Sequence, residues 1–132
     1  MILDLYKQFK KISDNEFGDI IEESTIIFSS SGRARKLRLE LIDNTLIDIW
    51  YSSEGEYSFH WEQTEVRNSI YRHDNAPHEK WSCVKTFPKH CHDGTQNNVV
   101  ESSIPDKPDH VLREFMYIVK KKMIGFKQKD AH

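Results

Sequence analysis

Six residues constrain this chain more than any others. Lys36-Leu37-Arg38-Leu39-Glu40-Leu41 alternates without exception, leucines to one side and charges to the other. A period of two over a run this long specifies a strand with one buried face and one solvated face. The same parity returns downstream. Ile47, Ile49 and Tyr51 oppose Leu46, Asp48 and Trp50, and Tyr57, Phe59 and Trp61 oppose Ser58, His60 and Glu62. Asp43-Asn44 and Ser53-Glu54-Gly55 are turn sequences between these runs, and connections this short join antiparallel neighbours. A β-branched run over 22–30 precedes the series. A further strand over 68–73 follows it, with Ile70 and Arg72 on one face and Tyr71 and His73 on the other.

A sheet with one greasy face needs a cover. Ile2, Leu5, Tyr6, Phe9 and Ile12 recur at helical spacing near the N-terminus. At the other end Val111, Leu112, Phe115, Val119 and Met123 form a second apolar stripe, entered through Pro105-Asp106-Lys107-Pro108, with Gly125 as the expected stop. The expectation is an α+β fold: an antiparallel β-meander of about five to six strands with N-terminal and C-terminal helices packed on one face. Residues 1–125 read as a single domain and 126–132 as a frayed tail.

Several classes of function are disfavoured. Nineteen basic and 21 acidic residues leave a net charge of −2, so nucleic acid binding would have to come from a local patch. The early charges of the N-terminus do not match a secretory signal, and the expected setting is a soluble, cytoplasmic protein with no membrane contact. Two cysteines, Cys83 and Cys91, fit reduced thiols there. No glycine-rich phosphate loop and no nucleophilic triad is visible, although Cys91 stands between two histidines.

The polar face is left for chemistry: Asp48, Trp50, His60, Glu62 and, by its polarity, His73. Beyond it lie Arg72-His73-Asp74-Asn75-Ala76-Pro77-His78 and Thr86-Phe87-Pro88-Lys89-His90-Cys91-His92, which hold four of the seven histidines. Such a set has two uses. His90-x-His92 in extended backbone turns both imidazoles to one side, and with His78 or Asp74 could form a three-ligand metal site. Alternatively, imidazoles titrating near neutrality can act as acid and base in metal-free RNA transesterification, with a guanidinium holding the phosphate. The second use ranks first here. His78, His90, His92, Arg72 and Asp74 are the candidate catalytic residues, His60, Trp50, Lys85, Lys89 and Asn75 the candidate substrate contacts, and no metal or cofactor is assigned. A structural use competes, because Asp74-Asn75-Ala76-Pro77 is also a turn sequence whose side chains cap local backbone.

The elements Tyr57-Ser58-Phe59-His60-Trp61, Arg72-His73-Asp74-Asn75-Ala76-Pro77-His78 and Thr86-Phe87-Pro88-Lys89-His90-Cys91-His92 resemble the TumE-type family. Glu79 stands where a second histidine is usual, and Lys89 and Cys91 alter the second histidine group. The resemblance implies the toxin component of a bacterial or archaeal toxin–antitoxin pair, with a helix-turn-helix antitoxin as partner. RNA is the candidate substrate, and a homodimer through the 22–30 edge strand is a further possibility.

Overall fold

The computed structural model describes residues 1–130. It contains helix α1 (Ile2–Glu16), strands β1 (Ile21–Phe28), β2 (Ala34–Leu41), β3 (Leu46–Tyr51) and β4 (Tyr57–Glu62), a single-turn helix α2 (Thr64–Arg67), strands β5 (Ile70–Asp74), β6 (His90–Gly94) and β7 (Val99–Glu101), and helix α3 (Pro108–Asp130). All seven strands form one antiparallel sheet in strict chain order, β1 to β7. Short turns dictate this order, since each strand pairs with the next one made. The sheet has seven strands against an expected five to six; β6 and β7 are short, polar segments without apolar alternation.

Cross-strand pairing carries the predicted parity through the sheet. Leu39 faces Ile47, Ile47 faces Trp61, and Trp61 faces Tyr71. This face is the core, and both helices lie on it. Tyr6 and Phe9 of α1 and Val111, Leu112, Phe115, Met116 and Val119 of α3 are fully buried against the strands' apolar side chains. Phe59 is the hub, within aromatic contact distance of Phe9, Tyr51, Tyr57 and Phe115 at ring-centroid separations of 5.4–6.2 Å. Buried hydroxyls and indoles need partners. Tyr6 finds them at the sheet's backbone, donating to the Arg35 carbonyl at 3.1 Å and accepting from the Tyr51 N–H at 3.1 Å. Trp61 Nε1 donates to Thr45 Oγ1 at 2.8 Å.

Two local expectations change. Helix α3 does not stop at Gly125. It continues to Asp130, because Phe126 packs on Trp61 and beneath the Arg67 guanidinium, which sits 4.6 Å from its ring centroid. That contact offsets the roughly 1 kcal/mol cost of a helical glycine. Of the expected frayed tail, residues 126–130 are helical, and 131 and 132 lie outside the described residues. His73 is the second change. Its strand parity already placed it with Tyr71, and the structure buries it on the core side beside Phe115 rather than on the polar face. Among the described residues no helix is long and apolar enough to cross a membrane.

Candidate functional site

Two transverse rows of the sheet's polar face carry the charged and imidazole side chains of interest. Pairing across β2 to β6 runs Arg38–Asp48–His60–Arg72–His92, and the neighbouring row across β3 to β6 runs Trp50–Ser58–Asp74–His90. Directly paired residues share a face, so side chains far apart in sequence become neighbours about 5 Å apart per strand.

At the β5–β6 end these rows close into one cluster around Asp74. Arg72 Nε donates to Asp74 Oδ2 at 3.1 Å. His90 Nε2 lies 3.0 Å from Asp74 Oδ1, and His92 Nε2 lies 3.5 Å from Asp74 Oδ2. His60 joins through its Nδ1, 3.4 Å from Arg72 Nη1, while its Nε2 faces Glu62 Oε1 at 3.3 Å. The loop over 75–89 covers the cluster. It carries a short 3₁₀ turn, Glu79–Trp81, and a cis Phe87–Pro88 peptide. The Trp81 ring stands 5.8 Å from His92 and 6.3 Å from His90, centroid to centroid. Beneath it His90 is 1% and His92 2% exposed.

Both imidazoles are fixed from behind. His90 Nδ1 is 2.9 Å from the Pro88 carbonyl, and His92 Nδ1 is 2.8 Å from the Gln96 carbonyl. A carbonyl only accepts, so each Nδ1 carries the proton and donates. Burial lowers the pKa of His92, with the nearby Arg72 charge acting the same way.

Other expected site residues go elsewhere. His78 is exposed at the entry to the 3₁₀ turn, outside the cluster. Asn75 is a structural clamp: its Oδ1 accepts from the Tyr57 N–H at 2.8 Å and its Nδ2 donates to the Gly55 carbonyl at 3.1 Å. Lys89 Nζ donates to the Ile104 carbonyl at 2.6 Å and pairs with Asp106 at 3.1 Å. Lys85 is exposed on the covering loop. Trp50, 40% exposed, lies in the Asp74 row but two strands away, on the open part of the face. Cys91 pairs with His73 and points into the core, where burial raises its thiol pKa to about 12. His73 donates and accepts within a buried chain, 2.6 Å from Ser102 Oγ and 2.8 Å from the Tyr71 hydroxyl. Desolvation lowers its pKa to about 4.

Trp81 is the residue that sequence reasoning overlooked. Its signal was an indole alone in a polar, proline-flanked loop with no strand partner of its own, which implies a surface beneath it to cover.

Asp48, on the same face, has different partners from Asp74. It accepts from Lys36 Nζ at 2.9 Å, Arg38 Nε at 2.8 Å and Arg38 Nη2 at 2.9 Å. Burial raises its pKa, but the bonds from Arg38 and Lys36 outweigh this and hold the carboxyl below its ordinary range. A depressed acid stabilises the fold above its unfolded pKa of about 4, and that contribution is lost as pH falls through the folded value. Asp48→Asn should therefore cost about 1–2 kcal/mol at pH 7. Urea unfolding at pH 7 and below about pH 3 checks this, because the gap to the parent chain should close in acid.

The architecture and site together define a small α+β protein: a helix-backed antiparallel meander whose open face ends in a covered imidazole–carboxylate–guanidinium cluster. The chain belongs to the Toxin TumE family, whose family model matches residues 8–123, all seven strands and most of both long helices included. It is thereby a toxin component of a toxin–antitoxin system, and an antitoxin partner follows from that membership. No curated protein and no solved structure matches the chain.

Proposed function

We propose that this toxin arrests growth by cleaving RNA at the β5–β6 cluster, and that a helix-turn-helix antitoxin holds it inactive. The observation that carries the reading is the convergence of one guanidinium and three imidazoles on a single carboxylate and its neighbours. Arg72 binds Asp74 through Nε and His60 through Nη1, and its guanidinium has further N–H donors for a phosphate oxygen. His60, with 22% of its side chain exposed, is the cluster's imidazole nearest solvent and is suited to proton transfer at the ribose or the leaving oxygen. His90 and His92 face Asp74 rather than an open cleft, so substrate reaches them only when the 75–89 loop lifts. The Trp81 face then offers a platform on which a base can stack.

The test is expression of the chain without its antitoxin. Growth arrest with shortened cellular RNA is expected, and Arg72→Ala, in a chain shown by circular dichroism to be folded, should relieve both. Arrest with intact RNA would sink the nuclease reading. One observation favours a second reading, a non-enzymatic binding module: the Asn75 clamp and the Asp74 Oδ1 bond from the Ala76 N–H, at 3.1 Å, are turn-building contacts. In that case the arrest persists in folded Arg72→Ala.

A further inference from the structure

We propose that Asp74, His90 and His92 hold one divalent transition-metal ion of the zinc type. The inference stands on ligand geometry and does not depend on RNA being the substrate.

The imidazole lone pairs converge. Each imidazole donates its Nδ1 proton to a backbone carbonyl, so in the neutral ring each Nε2 is a bare acceptor. Both bare atoms aim at the same carboxylate, itself an acceptor. Three acceptors facing one another in a dry site repel unless something positive lies between them. Protons are a poor answer. One proton satisfies only one imidazole, and two would place two imidazolium rings beside Arg72, three cations around one carboxylate. A single metal ion satisfies all three donors at once.

The donors are spaced for a metal. Asp74, His90 and His92 each present one ligand atom, all within 4.8 Å of one another, and the Asp74–His separations are 3.0 and 3.5 Å. Metal–nitrogen bonds of about 2.0–2.1 Å put neighbouring ligands about 2.9 Å apart in an octahedron and about 3.4 Å apart in a tetrahedron. The two Asp74–imidazole distances lie close to those polyhedron edges.

The donors are also braced from behind. Metal-binding histidines are held by a hydrogen bond from the far nitrogen, which fixes the tautomer and ring plane. The Pro88 and Gln96 carbonyls do this here, and Arg72 braces Asp74. Two imidazoles and one carboxylate suit first-row divalent ions, and three protein ligands leave positions for water or substrate oxygen. An ion there would polarise a phosphate oxygen or activate water.

The experiment uses the untagged full chain, stripped with EDTA and titrated with Zn²⁺. Calorimetry and elemental analysis after gel filtration should find one equivalent per chain, and Co²⁺ should give a visible ligand-field band. His90→Gln and His92→Gln should each weaken binding more than about 100-fold. His110→Gln, at an exposed position on α3, should retain it. If either cluster variant fails to fold, imidazole ¹⁵N spectra of the parent chain decide: two Nε2 resonances should move on adding Zn²⁺ while their Nδ1–H protons persist. Absence of a bound equivalent in the parent chain, binding undiminished in both glutamine variants, or unmoved Nε2 resonances would overturn the proposal. Metal uptake without RNA cleavage would leave it standing and count against the nuclease alone.

Discussion

Asp74→Asn is expected to abolish growth arrest while leaving the sheet folded. The carboxylate is the meeting point of the site: it accepts from Arg72 Nε and from the Ala76 N–H and faces both buried Nε2 atoms. The amide keeps its shape and retains an oxygen for the Ala76 bond. It loses the negative charge that balances Arg72 and orients the imidazoles. Removing one charged, buried hydrogen-bonding group costs about 1–3 kcal/mol of stability, which a folded domain can absorb. Loss of a preorganised charged group at a reacting centre typically costs about 100-fold or more in rate, enough to end toxicity. Colony counts after induction, paired with a urea curve on the purified variant, measure the two effects separately. A folded variant as toxic as the parent chain would remove the cluster from the mechanism.

The largest effect on stability is expected at Phe59. Its ring touches Phe9 of α1, Phe115 of α3 and two tyrosines of the sheet, so it ties both helices to one strand. It is fully buried, and Phe59→Ala should leave a cavity that no single neighbour can fill. The expected loss is about 3–5 kcal/mol, seen as a fall of the thermal midpoint by about 10–20 °C. Calorimetry or a thermal circular dichroism scan measures it. A shift of only a degree or two would mean that the helices do not close over this part of the sheet.

The sheet's parity was legible because alternation is a physical signature. Leu37, Leu39, Ile47, Ile49, Phe59 and Trp61 all go where a period of two sends them. The same rule put His73 beside Tyr71, but its polarity argued for the open face. The structure resolves that conflict with partners remote in sequence, Ser102 above all, which alternation cannot reveal. Strands β6 and β7 lacked the signature, because β6 carries its histidines on the covered polar side and β7 is only three residues long. For the same reason the site was half legible. Residue types marked Arg72, Asp74, His90 and His92 as one group, and the β5–β6 register fixes which of them face one another. Lys89, Asn75 and Cys91 had the right chemistry for a site, and their contacts place them in loop pinning or in the core. That Trp81 lies over the His90 and His92 imidazoles is set by tertiary packing.

The position of α3 after all seven strands has a consequence for the cell. A ribosome releases the chain from its N-terminus, so the meander can pair strand by strand while its greasy face still lacks half its cover. Val111, Leu112, Phe115, Met116 and Val119 emerge only after β7. Until then Phe59 and Tyr71 have no Phe115 to pack against, and the core that holds β4 and β5 in place is unfinished. Because β5 carries Arg72 and Asp74, the proposed site is completed only after translation has passed this helix. An antitoxin already present could therefore engage the chain before it becomes harmful.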